Sequence, residues 1–219
     1  MDFSIASHTI PVNANQSISA ESYEPASPKA IFVFAHGAGA GMNHSFMKEL
    51  AAALAGHGIA TLRYNFLYME QHKKRPDVPA VAHQAVEAAI HKAIALFPNV
   101  PLLAGGKSFG GRMTSQFLSS NTVPHLRGIV FVGFPLHPAD KPSVNRATHL
   151  KLVNLPMLFL QGTKDKLATC ELIEQVCAEL LPSQLVKLEG ADHSFKAPRQ
   201  NLIPVLAAAI SRWTDTLLL

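Results

Sequence analysis

Gly105-Gly106-Lys107-Ser108-Phe109-Gly110-Gly111 is the stretch around which the chain is organised. The apolar run Val100-Pro101-Leu102-Leu103-Ala104 leads into it, and Phe109, Met113 and Phe117 follow at a spacing of four. That spacing predicts a helix, and the run before it predicts a strand. Gly106-x-Ser108-x-Gly110 is therefore a G-x-S-x-G between strand and helix, the setting of a nucleophile elbow. So tight a turn predicts a strained serine backbone and small neighbours that let strand and helix approach. It also leaves the Phe109 amide at a helix start, free to bind an anion. Gly and Ser are common, so the bare pattern fits an ordinary glycine-rich loop as well.

A second reading competes at the same residues. Gly106-Lys107-Ser108 is also the tail of a phosphate loop, G-x-x-x-x-G-K-[ST], whose amides cradle phosphates. That motif needs its first glycine at position 101, where the sequence has Pro101. The positions between read as strand rather than loop.

Composition sets the outer bounds. The 219 residues are 48% hydrophobic, which fits a single domain over 1–219 with a sizeable core. No apolar run reaches the roughly 20 residues of a membrane span. Met1-Asp2-Phe3-Ser4-Ile5 lacks the basic start and apolar stretch of a signal peptide. Cys170 and Cys177 are the only cysteines and lie seven apart on an expected helix, too distant to bridge easily. The expected setting is the reducing cytoplasm. A formal charge of +4 suits acidic substrates but does not make a nucleic-acid binder. No H-E-x-x-H or C-x-x-C spacing occurs, so neither metal nor cofactor is expected.

The rest of the chain reads as strand and helix in turn. Residues 7–12 and 16–20 predict a leading antiparallel pair. Ala30-Ile31-Phe32-Val33-Phe34-Ala35 is apolar throughout, as a strand covered on both faces should be. Asn43 is placed to cap a helix bearing Phe46, Leu50 and Leu54. Further strands are expected at 59–62, 128–132, 157–162 and 184–188. Helices are expected over 81–97, after Thr169 with Leu172, Val176 and Leu180 on one side, and over 202–217 with Leu202, Leu206, Ile210 and Trp213 on one stripe. Glu70–Pro79 reads as a polar loop whose His72-Lys73-Lys74-Arg75 is solvated. Residues 136–154 show little periodicity and read as a loop or one short helix, not a lid. This order argues for an α/β fold with a mostly parallel central sheet and helices on both faces. Active groups in such sheets lie beyond the carboxyl ends of strands.

Inspecting those ends yields a constellation. A serine hydroxyl needs an adjacent base, and the base needs a group that orients it. Gly162-Thr163-Lys164-Asp165 follows one expected strand, and Gly190-Ala191-Asp192-His193-Ser194-Phe195 follows the last. Ser108, Asp165 and His193 thus occur in the order nucleophile, acid, histidine. Asp192 competes with Asp165, but its place beside His193 in the chain points it elsewhere. His36 reads as a structural hydrogen-bonder rather than a base. Lys107 is either a surface lysine or a contact for an anionic substrate. Arg63 and Arg112 are candidates for structural or carboxylate-binding roles.

With these pieces and His36-Gly37-Ala38-Gly39 and Arg63-Tyr64-Asn65-Phe66, the sequence resembles the α/β-hydrolase superfamily, specifically its small, lidless, dienelactone-hydrolase-like branch. The resemblance spans residues 30–196. It implies the α/β-hydrolase fold and a hydrolytic triad. It does not imply dienelactone as substrate, because the best-known members with that activity use a cysteine where this chain has Ser108. By residue, Ser108 would attack a carbonyl carbon, His193 would move the proton, and Asp165 would orient His193. The backbone amides of Phe109 and Ala38 would receive the oxyanion.

The expected function is a serine hydrolase for small, accessible esters or thioesters, with a small molecule as partner and neither nucleic acid nor membrane. The chain would be a monomer or homodimer. A non-catalytic binding or scaffold protein on the same fold is the alternative.

Overall fold

The computed structural model describes residues 3–180 and 182–219. Eight strands form one sheet in the order β1-β2-β4-β3-β5-β6-β7-β8. They are β1 (Phe3–Asn13), β2 (Gln16–Pro25), β3 (Ala30–Ala35), β4 (Ile59–Tyr64), β5 (Leu102–Lys107), β6 (Leu126–Val132), β7 (Met157–Gly162) and β8 (Ser183–Leu188). β1 pairs with β2, and β2 with β4, in antiparallel fashion. From β4 through β8 every neighbouring pair is parallel. The helices are α1 (Ser45–Ala55), α2 (Leu67–Glu70), α3 (Pro79–Leu96), α4 (Phe109–Leu118), α5 (Cys170–Glu179) and α6 (Ile203–Leu217). This is the α/β-hydrolase fold.

Alternation along the central strands builds two cores. In β3, Ile31 and Val33 face α3, α4 and α5, while Phe32 and Phe34 face α1 and α6. Successive side chains of a strand point to opposite faces, so a strand covered on both sides has to be apolar throughout. All six residues of β3 are buried. Trp213 belongs to the α1–α6 side, where it lies against Gly128: a Cβ there would sit 2.5 Å from the indole. It covers the core, while Leu218 and Leu219 beyond it are exposed.

Several local details differ from the sequence reading. His44, not Asn43, caps α1: its Nδ1 accepts the Phe46 amide at 3.2 Å, because the helix starts at Ser45 and Asn43 falls one residue too early. Thr169 stands at the N-cap of α5, but its hydroxyl makes no capping bond. The buried face of α5 carries Ile173, Val176 and Cys177, with Leu172 only partly covered. α2 takes up the start of the expected polar loop, whose residues 71–75 are exposed. Residues 136–154 contain a single 3-10 segment (Asn145–Leu152) and no lid domain.

Candidate active site

The elbow forms as its composition dictates. Ser108 lies between β5 and α4 at φ 48° and ψ −113°, a conformation that strains any residue with a Cβ. Its amide donates to the Val132 carbonyl at 3.2 Å, and its carbonyl accepts from the Arg112 amide at 3.1 Å. These bonds tie the turn to β6 on one side and to α4 on the other. Gly106 and Gly110 permit the close approach: a Cβ on Gly106 would collide with the Ala35 carbonyl, and one on Gly110 would stand 2.6 Å from the His36 carbonyl oxygen. The Gly106-Lys107-Ser108 segment is therefore the end of a strand and a tight turn. The phosphate-loop reading has no loop to rest on, since residues 102–107 are β5.

Two loops beyond strand ends, those after β7 and β8, meet above this turn. Ser108 Oγ lies 2.8 Å from His193 Nε2. His193 Nδ1 lies 2.6 Å from Asp165 Oδ2. With Asp165 as acceptor, Nδ1 carries the proton and Nε2 presents its lone pair to the serine hydroxyl. Asp165 is buried, and its carboxylate also accepts from Gln161 Nε2 at 2.5 Å and from the Leu167 amide at 2.8 Å. Asp192 does not face the imidazole; it accepts the amides of Ser194 and Lys196 and closes the turn that carries His193.

Gln161 was not singled out from the sequence. It bridges the Phe134 amide, accepted at 3.0 Å, to Asp165. The usable signal is a lone amide at the end of the apolar run Met157-Leu158-Phe159-Leu160, four residues before Asp165.

A further loop, residues 37–42, runs beside the serine. A Cβ on Gly37 would touch Lys107 Cγ at 3.3 Å and Ser108 Cβ at 3.7 Å. Residues at the end of β4 hold this loop in place. Arg63 is fully buried, donates to the Met42 carbonyl at 2.5 Å, pairs with Glu21 and lies over the Tyr23 ring. Full burial and these intramolecular partners give it a structural role. Asn65 Oδ1 accepts the Met42 amide at 2.9 Å, and Tyr68 Oη accepts the Gly39 amide at 3.0 Å. His36 is buried beneath: Nδ1–H donates to the Gly37 carbonyl at 2.7 Å, and Nε2 accepts the Phe66 amide at 3.2 Å. Burial pushes its pKa down to about 4, so the ring is neutral at ordinary pH. Among the described residues, no hydrogen bond engages the amide of Ala38 or of Phe109. Ala38 lines the same pocket as Ser108, and Phe109 follows Ser108 at the start of α4.

The site opens into a pocket of about 380 Å³, with Phe46, Met47 and Leu167 on its apolar wall. Lys107 and His44 join His193 as its basic members. Lys107 Nζ donates to the His193 carbonyl at 2.5 Å. Arg112 is outside this lining; it stands near Arg146 and His149 at the 3-10 segment. Among the described residues, no three His, Cys, Asp or Glu side chains converge as a metal site, and no helix is long and apolar enough to cross a membrane.

Comparison with known proteins agrees with the fold. The sequence pattern of the family described as alpha/beta hydrolase domain matches residues 28–209, most of the chain, and the chain belongs to that family. A Mycobacterium tuberculosis protein named provisionally as a phosphoribosyl transferase is 27% identical over 182 residues, 80% of this chain. The chain spans only 38% of the length of that relative. Among solved structures, dienelactone hydrolase from Anabaena variabilis superposes with a TM-score of 0.80 at 19% identity, over 98% of each chain. A lidless α/β serine hydrolase from Xanthomonas campestris gives 0.74 at 20% identity, over 95% of this chain and 94% of its own. Likeness at this level of identity speaks for the fold.

Proposed function

We propose that this member of the α/β-hydrolase family is a serine hydrolase that cleaves small esters or thioesters through an acyl-enzyme. The observation that carries the reading is the unbroken line from Asp165 through His193 to Ser108, with heavy-atom separations of 2.6 and 2.8 Å. A serine hydroxyl is inert at neutral pH unless a base takes its proton as it attacks, and this line supplies the base already oriented.

The steps follow from the atoms. Ser108 Oγ bonds to the substrate carbonyl carbon while its proton passes to His193 Nε2. Negative charge gathers on the carbonyl oxygen, where the unengaged amides of Phe109 and Ala38 donate to it. Asp165 accepts from Nδ1–H throughout and stabilises the imidazolium. The C–O or C–S bond to the leaving group then breaks, and the proton on Nε2 goes to the departing alcohol or thiol. Water repeats the sequence on the acyl-enzyme: His193 takes its proton, the hydroxide oxygen bonds to the acyl carbon, and Ser108 leaves with the proton restored.

Pocket dimensions support small substrates. A volume of about 380 Å³ is at the low end for ligand sites.

The test is labelling with a fluorophosphonate, which reacts with an activated serine, followed by mass spectrometry of the modified peptide. The expected result is a single label on Ser108 that disappears in His193→Ala. In Ser108→Ala, ester turnover should fall by about four to six decades with the fold retained. Folded protein that takes no label, or Ser108→Ala that still turns over ester, would refute the mechanism. The first outcome would favour a binding role.

A further inference from the structure

Lys107, part of the lining of the pocket beside Ser108, carries an ammonium without a close counter-ion. Lys107 is half-buried, and no carboxylate approaches its Nζ within salt-bridge distance among the described residues. Its single hydrogen bond goes to the His193 carbonyl. An ammonium has three N–H donors, so two stay uncommitted. Phe195 offers its ring face at 5.1 Å and Phe46 at 6.0 Å. Aromatic faces give a cation about 0.5–2 kcal/mol, less than the hydration it has lost. Burial accordingly pulls Lys107 down to about 8, against the pull of Asp165 and Asp192 in the other direction. The group is still charged at neutral pH, and it is short of partners.

The surroundings favour an anion as the missing partner. No residue that lines the pocket is acidic. Asp165 does not line the pocket and is committed to His193, Gln161 and Leu167. The pocket is thus positive and walled in part by apolar groups, conditions under which one ion pair counts for more than in water.

Resting on the serine-hydrolase reading above, we propose that Lys107 sets specificity by pairing with a carboxylate of the substrate, so that the preferred substrates are short esters or thioesters of dicarboxylic acids. The acyl carbonyl is held at Ser108, the methylenes lie along Phe46, Met47 and Leu167, and the distal carboxylate meets Nζ. Since Lys107 immediately precedes Ser108 and bonds to the residue that supplies the base, the spacer between the two carboxyl groups is short.

The test compares 4-nitrophenyl hemiglutarate with 4-nitrophenyl valerate, similar in length and differing in charge. In the wild type, kcat/KM should favour the hemiglutarate by about tenfold or more, the value of one charge-assisted hydrogen bond. Lys107→Met and Lys107→Gln should lose that preference, and Lys107→Arg should keep it. An unchanged ratio in Lys107→Met would overturn the proposal. So would an equal fall for both esters, which would make Lys107 a positioning residue acting through the His193 carbonyl. In the wild type the preference should also fade as pH rises through about 8, as Lys107 loses its charge. The other titratable groups facing it are Asp165, Asp192 and His193, with His44 at the rim. A persistent preference at pH 10 would contradict the ammonium's role.

Binding gives a readout independent of turnover. Ser108→Ala titrated with glutarate should bind it, and the added Lys107→Met change should abolish the binding. Lys107-dependent binding in a protein that hydrolyses neither ester would leave the anion site standing and remove the hydrolase reading. Turnover without any Lys107 dependence would do the reverse.

Discussion

Acidification should unfold this protein in part through His36. Both ring nitrogens are committed in the neutral form, one donating to Gly37 and one accepting from Phe66. Protonating Nε2 would turn an acceptor into a second donor facing the Phe66 N–H, inside a fully buried site. The folded pKa therefore drops from about 6.5 to about 4. Between these values the unfolded chain binds the proton and the folded chain does not, so stability rises with pH across that window. The contribution is fully present above about 6.5 and is lost as pH falls toward 4. From pH 7 to 4.5 the integrated difference is about 2 kcal/mol. For a urea dependence of about 2 kcal/mol per molar, that moves the unfolding midpoint by about 1 M. Trp213 is the only tryptophan and is buried, so its fluorescence reports the transition. His36→Gln removes the titration and should be less stable at pH 7, but it should lose about 2 kcal/mol less than the wild type on acidification. His149, also pushed down to about 4, titrates in both proteins and cancels from the comparison. Equal acid losses in the two proteins would refute the assignment.

Other substitutions probe the scaffold of the site. Gly110→Ala puts a methyl group 2.6 Å from a backbone oxygen; it should cost about 1–3 kcal/mol in urea unfolding and slow fluorophosphonate labelling, and an unaltered labelling rate would show that the elbow tolerates the shift. Arg63→Ala leaves the Glu21 carboxylate and the Met42 carbonyl without their partner; with Glu21 partly exposed, the expected loss is near the lower end of about 3–5 kcal/mol, and a loss below 1 kcal/mol would mean that water replaces the guanidinium. Asp165→Asn should fix the wrong imidazole tautomer and reduce kcat by about four decades with a normal unfolding midpoint; a reduction of less than tenfold would remove Asp165 from the mechanism.

Strong local signals made most of the fold legible in the sequence. The six apolar residues of β3, the glycines flanking Ser108 and the period-four stripe of α6 each admit few alternatives. Asp165 and His193 stood out as candidates because each lies a few residues beyond a strand end. What escaped depends on contacts rather than pattern. α2 has four residues, too few to show a period. His44 displaced Asn43 as a cap because a helix boundary shifted by one residue. The choice of Ile173 over Leu172 on α5 turned on the helix's rotation against the sheet. Arg63 read equally well as a ligand contact or a brace, and only its burial against Glu21 and Tyr23 decides. Lys107 shows the same limit: its place beside Ser108 is written in the sequence, and its lack of a counter-ion is not.

The long parallel crossovers have a consequence in time. Ser108 and the imidazole it contacts are 85 residues apart, and Asp165 reaches His193 across 28 more local ones. Parallel pairings of such separation form late, because closing each intervening loop must precede any gain from the contact. A nascent chain that has built β5 and α4 already displays the serine hydroxyl, but the imidazole it will contact is still absent. On the proposed mechanism, the chain would pass through most of its folding as a chemically silent protein, and reactivity would be acquired only when the segment after β8 docks.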